Sequence, residues 1–215
     1  MIRKTAFALS LGAIAAAAPL GAQIGLIGGF VSASLTEDPV TQSVTYSGKT
    51  GFAAGLSLKA GVANGVSIGP EVLYVQKGTN ATFGVGSATT YAGWVKAAYV
   101  EVPVLLRIAF GSSGTRFFVT GGGQYSYQLS CTAAVPALVG GVVVTNPDAC
   151  DKVFTAPAGL KTSDYGAVFG AGVSMGKISF SGRYELGLAN VNKDETSTAH
   201  KVKNKAIMAL ITIKP

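Results

Sequence analysis

Seven charged side chains stand where chemistry could be done: Lys59, Glu71, Glu101, Arg107, Arg116, Arg183 and Glu185. Each lies in a segment of alternating character, so a strand carrying it turns the charge to one face and apolar neighbours to the other. If the charged faces converge inside a barrel, they can form a structural ion-pair network that fills the lumen. They can also line a polar path for a small solute or ion. Burying a charge is costly unless it is paired and hydrogen-bonded, and an eight-stranded barrel is only wide enough for side chains to fill. The network is therefore the expected arrangement, and Glu101→Ala is expected to lower thermal stability by leaving an arginine unpaired.

The remaining reactive residues point to less. Cys131 and Cys150 are the only cysteines, and an even count in an exported chain predicts a disulfide. A metal site would need more ligands, no histidine is near, and the spacing is unlike the C-x-x-C of redox proteins. His200, the single histidine, lies near Asp194 and Glu195, which makes a Ser/His/acid hydrolase conceivable. No G-x-S-x-G supports one, and a lone loop histidine is more often simply solvated. Gly121-Gly122-Gly123 falls inside a strand pattern with no helix after it, so it marks a close strand contact or a bend rather than a phosphate loop. No catalytic residue, cofactor or metal is assigned.

The elements that must position these charges are strands. Tyr99–Phe110 is the clearest: Val100, Val102, Val104, Leu106, Ile108 and Phe110 share one face, and Tyr99, Glu101, Pro103, Leu105, Arg107 and Ala109 the other. In a soluble protein the apolar face would be the core; in an outer-membrane barrel it meets lipid and the charges turn inward. Eight segments of strand character follow Ala22: Gln23–Leu35, Gly51–Gly61, Val66–Lys77, Val95–Phe110, Thr115–Leu129, Ser163–Met175, Lys177–Leu188 and Lys205–Lys214. Several repeat the same division. Ile68, Pro70, Val72 and Tyr74 oppose Ser67, Glu71 and Lys77; Ile178, Phe180, Tyr184, Leu186 and Leu188 oppose Ser179, Ser181, Arg183 and Glu185. The first and last strands are less decisive, because Ile207 to Ile213 is apolar on both faces.

The connections alternate in length. Thr36–Thr50, Gly78–Trp94, Ser130–Thr162 and Ala189–Asn204 are long and polar, whereas Ala63-Asn64-Gly65, Gly111-Ser112-Ser113-Gly114 and the Gly176 turn are tight. Short periplasmic turns and long extracellular loops have this arrangement in outer-membrane barrels, and a soluble lipocalin-type barrel has no reason for it. Tyr91 and Trp94, in the second long loop, are expected at the membrane interface. Ala133–Val144 is unusually apolar for a surface connection; it is either a short hairpin extending the barrel wall or a sticky edge for a partner protein or lipid.

Composition agrees with a membrane barrel. The 215 residues include 29 glycines, and only 13% are charged. Met1–Ala22 has the charged start (Arg3, Lys4), apolar middle and small-residue end of a secretory signal peptide, leaving residues 23–215 as one barrel domain. The formal charge of +7 becomes +5 without the leader (17 − 2 = 15; 15 − 10 = 5). It is spread thinly apart from the tail from Lys201 to Lys205, which argues against nucleic acid as a partner.

Two stretches carry a resemblance: Gly69-Pro70-Glu71-Val72-Leu73-Tyr74-Val75-Gln76-Lys77-Gly78 and Tyr99-Val100-Glu101-Val102-Pro103-Val104-Leu105-Leu106. With Tyr165–Gly172 and Gly182-Arg183-Tyr184-Glu185-Leu186-Gly187-Leu188, they make the chain resemble the PorT-like family of small outer-membrane β-barrel proteins of Bacteroidetes-type bacteria. The ending Ile213-Lys214-Pro215 departs from the aromatic terminus usual in such proteins. The resemblance implies a location and an architecture, not an activity.

The combined expectation is an all-β, eight-stranded antiparallel up-and-down transmembrane barrel, monomeric, in the outer membrane of a Gram-negative bacterium. Its expected partners are outer-membrane lipid, the barrel-assembly machinery during insertion, and a surface ligand or protein met through loops 78–94 and 130–162. A structural or surface-binding role leads. A soluble lipocalin-like carrier of an apolar ligand is the alternative, and a lipid-modifying enzyme using His200 is the third reading.

Overall fold

A computed structural model describes residues 23–38, 44–85, 89–111, 114–139, 142–153, 161–191 and 201–215. The expected leader, and His200 with Asp194 and Glu195, lie outside these residues. In chain order the elements are β1 (Gln23–Asp38), β2 (Val44–Ala63), β3 (Val66–Val85), β4 (Thr89–Phe110) and β5 (Thr115–Ala134). Short pieces follow: β6 (Ala137–Val139), β7 (Val142–Val144), β8 (Pro147–Ala149) and α1 (Cys150–Val153). The chain then resumes with β9 (Ser163–Met175), β10 (Ile178–Gly187) and β11 (Lys201–Ile213).

Eight of these strands make one closed ring. Each long strand pairs antiparallel with the next, β5 pairs with β9, and β11 returns to β1 through a ladder from Leu26↔Ile213 to Asp38↔Lys201. Closure removes the sheet edges that would otherwise leave backbone groups unpaired in lipid. The tight turns are on one rim. At Gly65 φ is +76°, which an L side chain rarely adopts, so glycine is needed to pass from β2 to β3. Inside β5, a Cβ on Gly122 would meet the Val104 carbonyl on β4, which explains the middle glycine of the Gly121–Gly123 run as a close strand approach.

The apolar faces point outward. Val102, Val104, Leu106, Ile108 and Phe110 are exposed on β4, as are Phe169 on β9, Phe180 and Leu186 on β10 and Ile207 and Ile211 on β11. The outward run from Val100 to Phe110 matches the roughly 9–11 residues with which a tilted strand crosses a bilayer. Aromatic side chains edge the band. Phe30 faces Phe52 across β1–β2, the Phe52 and Tyr74 rings are 5.7 Å apart, and Tyr125 faces Tyr165. Near the turn-bearing rim, Phe110 stacks on Phe117 at 6.3 Å. Such girdles mark the two membrane interfaces.

Six strands run further than the sequence pattern suggests: β1 reaches Asp38, β11 begins at Lys201, and β2–β5 extend the most. β2, β3, β4 and β5 have 20, 20, 22 and 20 residues, whereas β9, β10 and β11 have 13, 10 and 13. One side of the wall therefore rises well beyond the apolar band. The supposed loop Gly78–Trp94 is mostly paired strand, with Gly78↔Lys96, Asn80↔Trp94 and Phe83↔Tyr91 in register. Alternation is a lipid signal and ends with the lipid, but the hydrogen-bonded ladder continues through Thr79-Asn80-Ala81-Thr82 without it. Trp94 accordingly sits on β4 beyond Lys96, not in a loop, with the Lys49 ammonium 5.1 Å from its ring.

Candidate functional site

The inner face divides into an apolar part and an ionic part. Ile27, Val31, Leu73, Val75, Met208 and Leu210 pack together from β1, β3 and β11. This explains why Ile207 to Ile213 reads as apolar on both faces: Met208 and Leu210 point into the core while Ile207 and Ile211 meet lipid. The ionic part is carried across the lumen by β3, β4, β5 and β10.

Its first unit joins β3 to β10. Arg183 donates from both terminal guanidinium nitrogens to Glu71, Nη1 to Oε2 at 2.5 Å and Nη2 to Oε1 at 2.9 Å. This fork on a carboxylate is the strongest common ion-pair geometry. The β3–β4 register has no paired partners for Glu71 and Val72 between Pro70↔Val104 and Leu73↔Glu101. Pro103 on β4 has no N–H to donate to the ladder there.

The second unit centres on Lys77. Its ammonium lies 2.6 Å from Glu101 Oε1 and 2.5 Å from Glu185 Oε2, and Tyr99 offers its ring at 5.9 Å. Ser126 donates its hydroxyl to Glu101 and Gln124 donates its amide to Glu185. Glu101 is 0% exposed and Lys77 only 7%. A carboxylate so enclosed persists as an ion only with a cation in contact. Glu101 is therefore paired with a lysine, not with the arginine expected from sequence. The sequence pattern puts Lys77 on the inner face, outside the seven selected charges. Its place one residue before Gly78, where a loop was expected, hid its central position.

Lys59, Arg107 and Arg116 are elsewhere. They lie toward the turn-bearing rim, around a separate cavity of about 260 Å³ that Lys214 also lines. Arg107 stacks its guanidinium 3.4 Å from the Phe118 ring centroid. The seven sequence-selected charges thus fall into two groups: Glu71, Glu101, Arg183 and Glu185 interact in the middle of the lumen, and the three other cations do not join them. Between the groups, Glu71, Arg107, Thr120 and Arg183 border a space of about 50 Å³.

Above the membrane, Cys131 and Cys150 are joined, as their even count predicted. Cys131 belongs to the extended part of β5 and Cys150 opens α1, so the bond ties the returning segment to the tall wall. β8 reinforces it by pairing Thr132↔Ala149 to Ala134↔Pro147. The apolar run between them contains the β6–β7 hairpin, Ala137↔Val144 to Val139↔Val142. Asp148 accepts a hydrogen bond from the Ala149 amide at 2.7 Å and lies 3.4 Å from Lys152. The amide bond, ahead of the Lys152 ammonium, holds its carboxyl below the usual aspartate range.

A closed antiparallel ring with an apolar exterior, aromatic edges and an ionic interior defines a transmembrane β-barrel. Its outward apolar face rules against the soluble lipocalin-like alternative, whose exterior would be polar. The chain belongs to the outer membrane protein beta-barrel domain family, whose model matches residues 15–193. That places it among outer-membrane proteins of Gram-negative bacteria. Solved structures with a similar fold include Ail of Yersinia pestis, with 10% identity over 91% of this chain and 100% of that one and a TM-score of 0.43. Neisserial surface protein A has 13% identity over 91% and 100%, with a TM-score of 0.44. OprG of Pseudomonas aeruginosa has 11% identity over 92% and 95%, with a TM-score of 0.46. No curated protein matches the sequence.

Proposed function

We propose that this chain is a closed, non-catalytic outer-membrane barrel with a structural or surface-binding role. The barrel anchors; the extended wall of β2–β5 and the disulfide-tied segment after β5 make the contacts. The observation that carries this reading is the pair of ionic units crossing the lumen, Arg183–Glu71 and Glu101–Lys77–Glu185. Paired charges at the centre of an eight-stranded ring act as a plug, because the ring has no width to spare. The resemblance of its Pro70–Gly78 and Glu101–Leu106 stretches supports a PorT-like branch within its family. It is exported with its leader removed, is inserted by the barrel-assembly machinery, and works as a monomer without a cofactor or nucleic acid. Its surface partner is met through residues 78–94 and 130–162.

Planar-bilayer recording of the purified full chain tests the plug. The expected trace has no steady conductance at moderate voltage. A stable open channel in the wild-type protein would overturn the closed-lumen reading and make solute passage the leading function.

A further inference from the structure

We infer that the periplasmic mouth of the barrel is a binding site for a multivalent oxyanion of the phosphate class, either free or as the phosphate of a lipid headgroup. This site adjoins the ionic plug: Lys59, Arg107 and Lys214 also line the space of about 50 Å³ that Glu71 and Arg183 border. Four cations, Lys59, Arg107, Arg116 and Lys214, line one cavity of about 260 Å³. They come from three strands and the segment after β11, so no single run of sequence announces them. In register, Gln23 faces Lys59, Ser67 faces Arg107, and Arg116 faces Ser174, which puts an amide or hydroxyl beside three of the four cations.

No carboxylate lines this cavity. The nearest acid toward the membrane centre, Glu71, is already taken by the two-pronged bond from Arg183. Among the described residues none of the four cations has an ion-pair partner. The charges also repel one another: Lys59 feels Lys214 first among them, then Arg107 and Arg116. An arrangement that concentrates like charge around a concave space, beside low-dielectric walls, focuses a positive potential there. Arginine offers planar, paired donors that match phosphate oxygens, lysine adds point charge, and the hydroxyls complete the donor set. The cavity lies just below the roughly 300–1,000 Å³ of pockets for drug-sized ligands, which suits a small hydrated anion or one headgroup phosphate.

The test begins with calorimetric titration of inorganic phosphate into the full chain folded in a maltoside detergent, with ionic strength held constant by chloride. Saturable binding is expected in the wild type. Lys214→Gln and Arg116→Gln should each weaken it about tenfold, the scale of one lost charge-assisted hydrogen bond. Lys214 follows the last strand and Arg116 is exposed, so both variants should keep the barrel fold, checked by the mobility shift between unboiled and boiled gels. A second arm uses lipid discs containing phosphatidylglycerol, with native mass spectrometry counting retained lipid. Retention by the wild type and its loss in the double variant, without binding of free phosphate, would identify the lipid as the source of the anion. Neither saturation nor retention, or binding unchanged in the folded variants, would overturn the inference.

Discussion

Glu101 and Arg107 stand on the same strand and face the same lumen, and they meet opposite fates. Glu101 is 0% exposed and held by Lys77 and Ser126; Arg107 is half-buried, stacked on Phe118, with no ion-pair partner among the described residues. The middle of the lumen gathers three carboxylates, Glu71, Glu101 and Glu185, around two cations, Lys77 and Arg183. The mouth gathers four cations and no acid. The two regions differ in what water can do for them. In the middle, dehydration is severe and each charge needs a partner from the protein. At the mouth the cations are half-buried or exposed, so solvent and dissolved ions offset part of their mutual repulsion. Charge in the first region is structural, and charge in the second is available.

The largest effect should come from Lys77→Ala, which strands two buried carboxylates at once. Removing one partner of a buried ion pair costs roughly 3–5 kcal/mol, and this variant should reach at least that range. Urea unfolding of the folded barrel, followed by the gel mobility shift, measures it. A loss below about 1 kcal/mol would break the comparison, because it would mean that the middle is as well hydrated as the mouth.

Glu101→Gln sharpens the same contrast at a smaller size. Lys77 keeps Glu185, and the new amide can still receive the Ser126 hydroxyl. The expected cost is that of weakening one charged hydrogen bond, about 1–3 kcal/mol. A cost equal to that of Lys77→Ala would show that the three charges act only as a unit.

Much of this architecture was readable beforehand, and the reasons are physical. Lipid on one side and a narrow lumen on the other impose a strict period of two, so Val100–Phe110 declares both faces. The two cysteines were equally open, but the alternation of connection lengths holds only in part: β3 ends at Val85 and β4 begins at Thr89, a closer junction than that from Phe110 to Thr115, and the expected loop Thr36–Thr50 is mostly strand. The upper wall was hidden because no lipid constrains Thr79–Thr82, which the pattern assigned to a loop. Pairing across the lumen was hidden for another reason. Arg183 reaches Glu71 over a sequence separation of 112 residues. Which inner residues meet is decided by strand tilt and stagger, quantities that no local pattern encodes. Hence the pattern picks out the acids and arginines but not Lys77, at the edge of an expected loop, nor Lys214, which ends the expected last strand and lies just past β11.

The smallest expected effect lies outside both regions and serves as their control. Asp148 and Lys152 form an ion pair of the same chemical kind as Glu101 and Lys77, yet both are exposed, at 52% and 68%. Exposed pairs contribute little to global stability, so no change in unfolding is expected from Asp148→Ala. A local pH dependence is expected, because the Ala149 amide, before Lys152, favours the ionised form and holds the carboxyl below its ordinary value of 3.8. The sign follows from linkage: a group whose value is lowered by folding contributes above its unfolded value and loses that contribution as pH falls through the folded one. The protection factor of the Ala149 amide against hydrogen exchange should therefore be level above about pH 4 and fall below it. In Asp148→Ala it should be low throughout. A level profile in the wild type down to the acid limit would show that the β8 backbone, not the carboxylate, holds this amide.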